Sequence, residues 1–516
     1  MPKQLPKSLT RRDALRLAAA AASSHYFCAP LLLGGCTRDD AGPTGDLKRR
    51  PLSAAYAGND AAPIAPYDPA RRWWMQSDFA PTQQEHDLFE LEVVGVIPPE
   101  LNGLYVRNGA NPKQGDSAHW FLGHGMVHGV RLQSGKAIWY RNRFVRTPLL
   151  EDPNAGFSPF APEASLASVS VVHHASRLLA AGEFGLPYLL SPDDLSTLGP
   201  HDFDGKLSDS FTAHPKIDPV TGEMFAFAYT YSPPFLRYYR IDPGGALISS
   251  EDIDLPLRRD GLGSKLCMMH DFVITQTNVV FLQLPVVFDL VAATTGFPFA
   301  WDETNGAHLG VMPRAGTSRD VTWIEIDPCF IFHTTNAYDD ELGRVVFEAA
   351  RILPPFWDRG NTGMLPAPVR LSRYTLDVGA RSAKLEVLDD RNVDFPRVDD
   401  RMIGRKHRYV YANEFDLSKV YEGRVPRVVK YDLQERKASE HSFDPGLRPD
   451  EAMFVPAHAR AGEDEGYLMT YVYDRRSDRS SLFILDASNL SAPPVAQVRL
   501  PVRVPLGAHG TWLPAG

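Results

Sequence analysis

Residues 126–145, MVHGVRLQSGKAIWYRNRFV, alternate polar and apolar side chains with a period of two, which is the pattern of half-buried β-strands. Similar short runs recur between turn-forming clusters along the rest of the chain, among them RLLAAGEFGLPYLL (177–190), DFVITQTNVVFLQL (271–284), VTWIEIDP (321–328), RVVKYDLQ (427–434) and SLFILDA (481–487). Helical periodicity over ten or more residues is scarce. The clearest exception, VFDLVAATTGFPF (287–299), reads as a loop or short helix near a ligand entrance. Many strands without long helices leave a sandwich, a large barrel or a propeller. Residues 60–516 divide into seven units of about 65 residues, somewhat above the ~40–50 of compact propeller repeats. The expectation is therefore all-β: a seven-bladed β-propeller whose loop insertions form a cap over an axial site.

The bulk composition agrees with a folded protein. Of 516 residues, 44% are hydrophobic and 23% charged, which excludes disordered and fibrous classes. The formal net charge is −9, and with no basic run the chain is a poor nucleic-acid binder. Residues 1–36 stand apart. Arg11 and Arg12 precede an alanine- and leucine-rich stretch that ends Leu33-Gly34-Gly35-Cys36, the layout of a processed export signal. TRRDALR (10–16) resembles a twin-arginine motif, and LGGC resembles a bacterial lipobox whose cysteine becomes lipidated. The expected location is periplasmic or at the cell surface, with membrane-surface association through Cys36. Residues 37–70, rich in Ala, Gly, Pro and Asp, read as a flexible tether, and 71–516 as the propeller domain. Cys267 and Cys329 lie in apolar strand-like runs, where buried free thiols are expected; two cysteines make no disulfide framework.

Four of the 16 histidines share a setting at the edge of a β-type run beside small or turn-forming residues: His214, His270, His333 and His509. Their spacings approximate one, one and three repeat lengths, so in a propeller each comes from the inner end of a different blade and points at one axis. His509 lies close to the chain end, in VPLGAHGTW (504–512), where chains fray unless tied down; closure of the ring beside the first blade would hold it. An all-imidazole set suits Fe, Cu, Zn or Ni.

Taken together, LNGLYVRNGANP (101–112), HWFLGHGMVHGVRL (119–132), TAHPKIDPVTGEM (212–224), MMHDFVIT (268–275), FHTTNAY (332–338), VKYDL (429–433) and VPLGAHGTW resemble the carotenoid cleavage oxygenase family over residues 75–516. The resemblance implies a seven-bladed propeller, an axial nonheme Fe(2+) on His214, His270, His333 and His509, and cleavage of an alkene by dioxygen. It implies three carboxylates behind the histidines: Glu183 for His270, Glu451 for His509, and Asp394 for His333, where the family usually carries glutamate. One methylene shorter, Asp394 needs either an inward backbone shift or a bridging water. The family's threonine near iron corresponds to Val169. A lysine typical of stilbene-cleaving members is Gly182 here, which favours an apolar polyene, a carotenoid or apocarotenoid, over a phenolic stilbene. Phe184, Phe235, Phe288, Phe297, Phe299 and Trp301 are candidates for an apolar tunnel wall. His119, His124 and His128 read as hairpin and turn structure rather than a second metal site. Three rivals remain: a stilbene or phenylpropene oxygenase, an isomerohydrolase-like reaction on the same metal, and a nonenzymatic propeller that binds apolar ligands.

Overall fold

The computed structural model describes residue 68 and residues 70–515, apart from 114–115, 153–154, 156–160, 230–232, 234, 290, 293–296, 355–366 and 415–425. The segment read as an export leader (1–36) and nearly all of the one read as a tether (37–70) fall outside the described residues. No helix among the described residues is long and apolar enough to cross a membrane.

The stretch 126–145 folds as read. Strands His124–Gln133 and Lys136–Phe144 pair antiparallel across Ser134 and Gly135, both at positive φ. Two such residues make the tight turn whose twist matches that of paired strands. Ala175 and Ser176 repeat the device between Ser170–His174 and Arg177–Ala181. The described strands fall into seven sheets of four to six strands and one two-stranded ribbon.

Five sheets are simple meanders in chain order: blade 2 (170–200), blade 3 (216–253), blade 4 (273–325), blade 5 (330–387) and blade 6 (393–442). The remaining two close the ring from both ends of the domain. In blade 1 the strand Gly510–Pro514 lies beside Gly103–Asn111, with Arg107 opposite Gly510 and Gly103 opposite Pro514. In blade 7, built from 447–499, the outer strand Glu92–Gly95 pairs with Ala496–Arg499. The first closure is the one anticipated for His509; the second is a further lock, made by the opposite end of the domain. Between blades, β-branched and aromatic faces fill the core, the largest cluster joining blades 3, 4 and 5 around Phe281, Phe330 and Phe347, all fully buried.

One local expectation is corrected. The ends of 287–299 are strands, not loop or helix: Val286–Phe288 pairs with Phe299–Trp301 as a ribbon inserted between the second and third strands of blade 4. The apolar pattern there reflects two buried strand ends, and short apolar runs do not distinguish strand from helix by period alone. Only Val291 and Ala292, between them, are helical among the described residues.

Candidate metal centre

The inner ends of the blades converge on the axis, and each blade supplies one residue. His509 immediately precedes the inner strand of blade 1. His214 and His270 lie just ahead of the inner strands Lys216–Ile217 of blade 3 and Val273–Ile274 of blade 4, and His333 is within Phe330–Asp339 of blade 5. The ligand-capable atoms of the four rings all lie within 4.8 Å of one another. Glu183 of blade 2, Asp394 of blade 6 and Glu451 of blade 7 supply the carboxylates. The separations in sequence are large, so the convergence is a product of ring closure.

Each carboxylate meets the Nδ1 of one ring: Glu183 pairs with His270, Asp394 with His333 at 2.7 Å, and Glu451 with His509 at 2.8 Å. A carboxylate accepts, so Nδ1 carries the proton and Nε2 turns its lone pair inward. Asp394 reaches His333 without a bridging water. Phe395, at φ +53°, and a register shift between Asp394 and Arg397 mark an irregularity of the kind that bends a strand. That irregularity compensates for the missing methylene, and the Phe395 ring stacks on His333 at 4.7 Å. The second oxygen of Glu451 accepts from Gly510 N at 2.9 Å, and Tyr229 donates to Glu183.

His509 is held by backbone as well. Its N–H donates to the carbonyl of Val169 at 3.0 Å, which ties the backbone of Val169 to that of His509. Arg107 lies beneath the approach to His509. It forms a 2.7 Å ion pair with Asp450, both side chains almost wholly buried, and it donates to the carbonyl of Pro505. A Cβ at Gly507 would overlap the Arg107 guanidinium, and one at Gly109 would come within 2.7 Å of Gly507 Cα. The glycines on this approach are therefore required by close packing over a buried cation.

The electrostatics favour neutral imidazoles at His214 and His509 and ionised carboxylates at Glu183 and Glu451. Burial pushes His214 well below the usual imidazole range, and the neighbouring histidines push the same way. Burial drives His509 down to about 4 against the pull of Glu451. For His333 burial also lowers, but Asp394, with Asp271 and Glu451, outweighs it and the net shift is upward. Burial raises Glu451, yet Arg397, His509 and the Gly510 N–H together hold it at about 2. The donor set fits a divalent transition metal: the Nε2 atoms of His214 and His270 face each other at 2.9 Å, and the buried Nε2 of His509 has no hydrogen-bond partner among the described residues. Lone pairs crowded this closely repel unless a proton or a cation lies between them.

An aromatic row leads away from the cluster. Phe332 meets His270 edge to face at 5.2 Å, Phe121 follows at 5.7 Å, then Phe297 at 5.7 Å, Phe299 at 5.5 Å and Phe288 at 6.2 Å. Of the expected wall residues, Phe288, Phe297 and Phe299 therefore lie in one row. Phe184 packs on Tyr229 at 4.8 Å, and Phe235 borders the same core. Trp301 ends the ribbon, its indole N–H donating to Glu303 at 3.3 Å. Phe121, Phe332, Phe395 and Tyr229 were not singled out in the sequence, although FLGHGM and FHTTNAY contain the first two. His119 stacks on Phe297 at 4.4 Å, His124 contacts the carbonyl of Leu149, and His128 bonds Tyr140 at 2.9 Å, so these three are structural, as read.

The model of the family described as retinal pigment epithelial membrane protein matches residues 79–514. A carotenoid cleavage oxygenase of Mycobacterium tuberculosis is 34% identical over 503 residues, covering 86% of this chain and 97% of that protein. The carotenoid 9,10(9',10')-cleavage dioxygenase 1 of Phaseolus vulgaris is 34% identical, covering 85% of this chain and 89% of its own length. Among solved structures, the lignostilbene dioxygenase of Pseudomonas brassicacearum superposes with a TM-score of 0.76 at 28% identity, over 86% of this chain and 98% of that one. Cobalt-substituted Synechocystis ACO gives 0.73 at 26% identity, over 84% and 97%. With seven blades, an axial histidine quartet and a match over most of its length, the chain belongs to the RPE65 and carotenoid cleavage oxygenase family.

Proposed function

We propose that the chain is a nonheme iron(II) oxygenase that cleaves a carbon–carbon double bond of a carotenoid or apocarotenoid with dioxygen, giving two carbonyl products. The observation that carries this reading is the convergence of His214, His270, His333 and His509 within 4.8 Å, three of them oriented by carboxylates. Bound there, ferrous iron supplies the redox chemistry with dioxygen. A set of four neutral imidazoles leaves the positive charge of the metal uncompensated by its direct ligands, and Glu183, Asp394 and Glu451 answer that charge from one shell further out.

The protein's own part is geometric. Val169, Phe288, Phe297 and Trp301, with Phe121 and Phe332, would wall an apolar approach that orients a polyene and keeps water from the reacting bond. The chemistry as proposed requires no side-chain nucleophile or acid–base pair, and the buried carboxylates are committed to histidines. Carotenoid-cleaving relatives at 34% identity support the substrate class. The lignostilbene dioxygenase neighbour keeps phenolic stilbenes as a second reading, against which stands Gly182. Export by the twin-arginine route and a lipid on Cys36, next to a membrane-dissolved substrate, complete the proposal.

The test is anaerobic purification with metal analysis, then incubation with carotenoids, apocarotenals and stilbenes under labelled dioxygen. Two carbonyl fragments from a polyene, carrying label, are expected. Turnover of stilbenes alone would overturn the substrate assignment, an isomerised product without label would overturn cleavage, and a protein without metal would overturn the enzymatic reading.

A further inference from the structure

Three of the four histidines have a carboxylate on Nδ1. Among the described residues no carboxylate pairs with the fourth, His214. Its local ladder is also short: the inner strand of blade 3 is only Lys216–Ile217, paired with Met224 and Phe225, and His214 lies ahead of it, its N–H donating to Thr212 Oγ1 at 2.9 Å. Yet His214 is the ring packed most tightly on its neighbours, with centroids 4.4 Å from His270 and 4.5 Å from His509. Something other than a direct carboxylate must fix it.

Two residues beyond His214, Lys216 extends its ammonium to Asp271 at 2.8 Å, the aspartate being almost fully buried. Asp271 directly follows His270. Its other oxygen accepts from the N–H of Thr334 at 2.8 Å and from the Thr334 hydroxyl at 2.6 Å, and Thr334 directly follows His333. A single carboxylate thus ties together the residues adjoining three ligands on blades 3, 4 and 5. Both of its oxygens are engaged, since the Lys216-facing one also accepts from Phe272 N at 2.8 Å. A buried charge in this arrangement is strongly committed, because removing one partner leaves the other unpaired.

We propose that Lys216, held by Asp271 whose other oxygen Thr334 secures, is the positioning group for His214, doing through the backbone what Glu183, Asp394 and Glu451 do through direct hydrogen bonds. Lys216 acts as a positioning residue, its ammonium committed to Asp271. It sets the distance of His214 from the other three rings. This inference rests on the four-histidine metal reading.

The experiment uses Co(II) as probe on the full-length chain, with Lys216→Met, Lys216→Arg and Asp271→Asn variants beside the unaltered protein. Cobalt affinity and the d–d absorption spectrum of the loaded site are measured, together with the melting temperature of the metal-free forms. Lys216→Met is expected to weaken cobalt binding about tenfold and to change the spectrum, because one nitrogen is no longer held at its place. Lys216→Arg, which keeps a cation for Asp271, is expected to restore most of the affinity and the spectrum. Asp271→Asn should behave as Lys216→Met does, and if that variant fails to fold, the Lys216 pair decides. A Lys216→Met protein that melts lower but binds cobalt with unaltered affinity and spectrum would overturn the inference, reducing the clasp to ordinary packing. Failure of the unaltered protein to bind cobalt would instead overturn the metal reading on which it rests.

Discussion

Replacing Asp394 by asparagine isolates the most unusual feature of the site. The side chain keeps its size and its oxygen but loses its charge. In the structure Oδ1 accepts from His333 Nδ1 at 2.7 Å and from Phe395 N at 2.8 Å, in a site where Asp394 and His333 are both buried. A hydrogen bond to a charged acceptor contributes about 1.5–3 kcal/mol and a neutral one about 0.5–1.5, so the substitution removes roughly 1–2 kcal/mol of orientation from His333. Each 1.4 kcal/mol is a factor of ten in an equilibrium constant. Metal affinity should therefore fall about five- to thirtyfold, within the range of about 10–100-fold typical of outer-shell partners at its upper end. The assay is anaerobic competition for Fe(II) or Co(II) against a calibrated chelator, with the metal-free melting temperature as control. Asp394→Glu sharpens the argument. Because Asp394 already reaches His333 directly, an added methylene overfills the gap, and the variant should bind metal no better than the unaltered protein. An Asn variant of unchanged affinity, or a Glu variant that binds tighter, would refute the account of how this aspartate reaches its histidine.

Gly507→Ala should destabilise the fold by about 2 kcal/mol or more, as overpacking against a clamped buried cation does, and lower the metal content with it; urea titration and metal analysis check both. Phe297→Ala, which opens the aromatic row at the third ring from His270, should raise KM for a polyene about tenfold while metal content stays full, by loss of one buried aromatic contact. The metal-free protein should lose stability as pH falls below neutrality. His214 and His509 have folded pKa values below the unfolded value of about 6.5, so the unfolded chain binds protons first. Their contribution is complete above that value and is lost as pH drops toward about 4, the value for His509. His333, shifted upward, acts in the opposite direction and offsets part of the loss. The urea midpoint should therefore be lower at pH 5 than at pH 7, and a midpoint that rose on acidification would contradict the buried-neutral assignment.

Strand periodicity was enough to exclude helical folds, and the spacing of four histidines at strand edges was enough to bring them to one axis, because a propeller repeats its inner edge at regular intervals. The seven-residue composition of the site, one residue per blade, was legible through the motifs. What the sequence does not disclose is pairing between residues remote along the chain. Arg107 with Asp450, and Lys216 with Asp271, are ordinary charged residues in isolation; ring closure brings the first pair together and the packing of neighbouring blades the second. The Glu92–Gly95 strand that completes blade 7 was equally hidden, since a four-residue run with only Val94 buried carries no mark of its partner. The direct reach of Asp394 depends on the left-handed backbone at Phe395, a conformation that a bulky aromatic side chain does not advertise.

The central claim is that four imidazoles from four blades hold one ferrous ion. Its most direct test is the iron content of anaerobically reconstituted protein beside the single variants His214→Ala, His270→Ala, His333→Ala and His509→Ala. The account predicts one iron per chain in the unaltered protein and a marked loss in each of the four variants. Full iron retention in any one of them, with the fold intact, would contradict it.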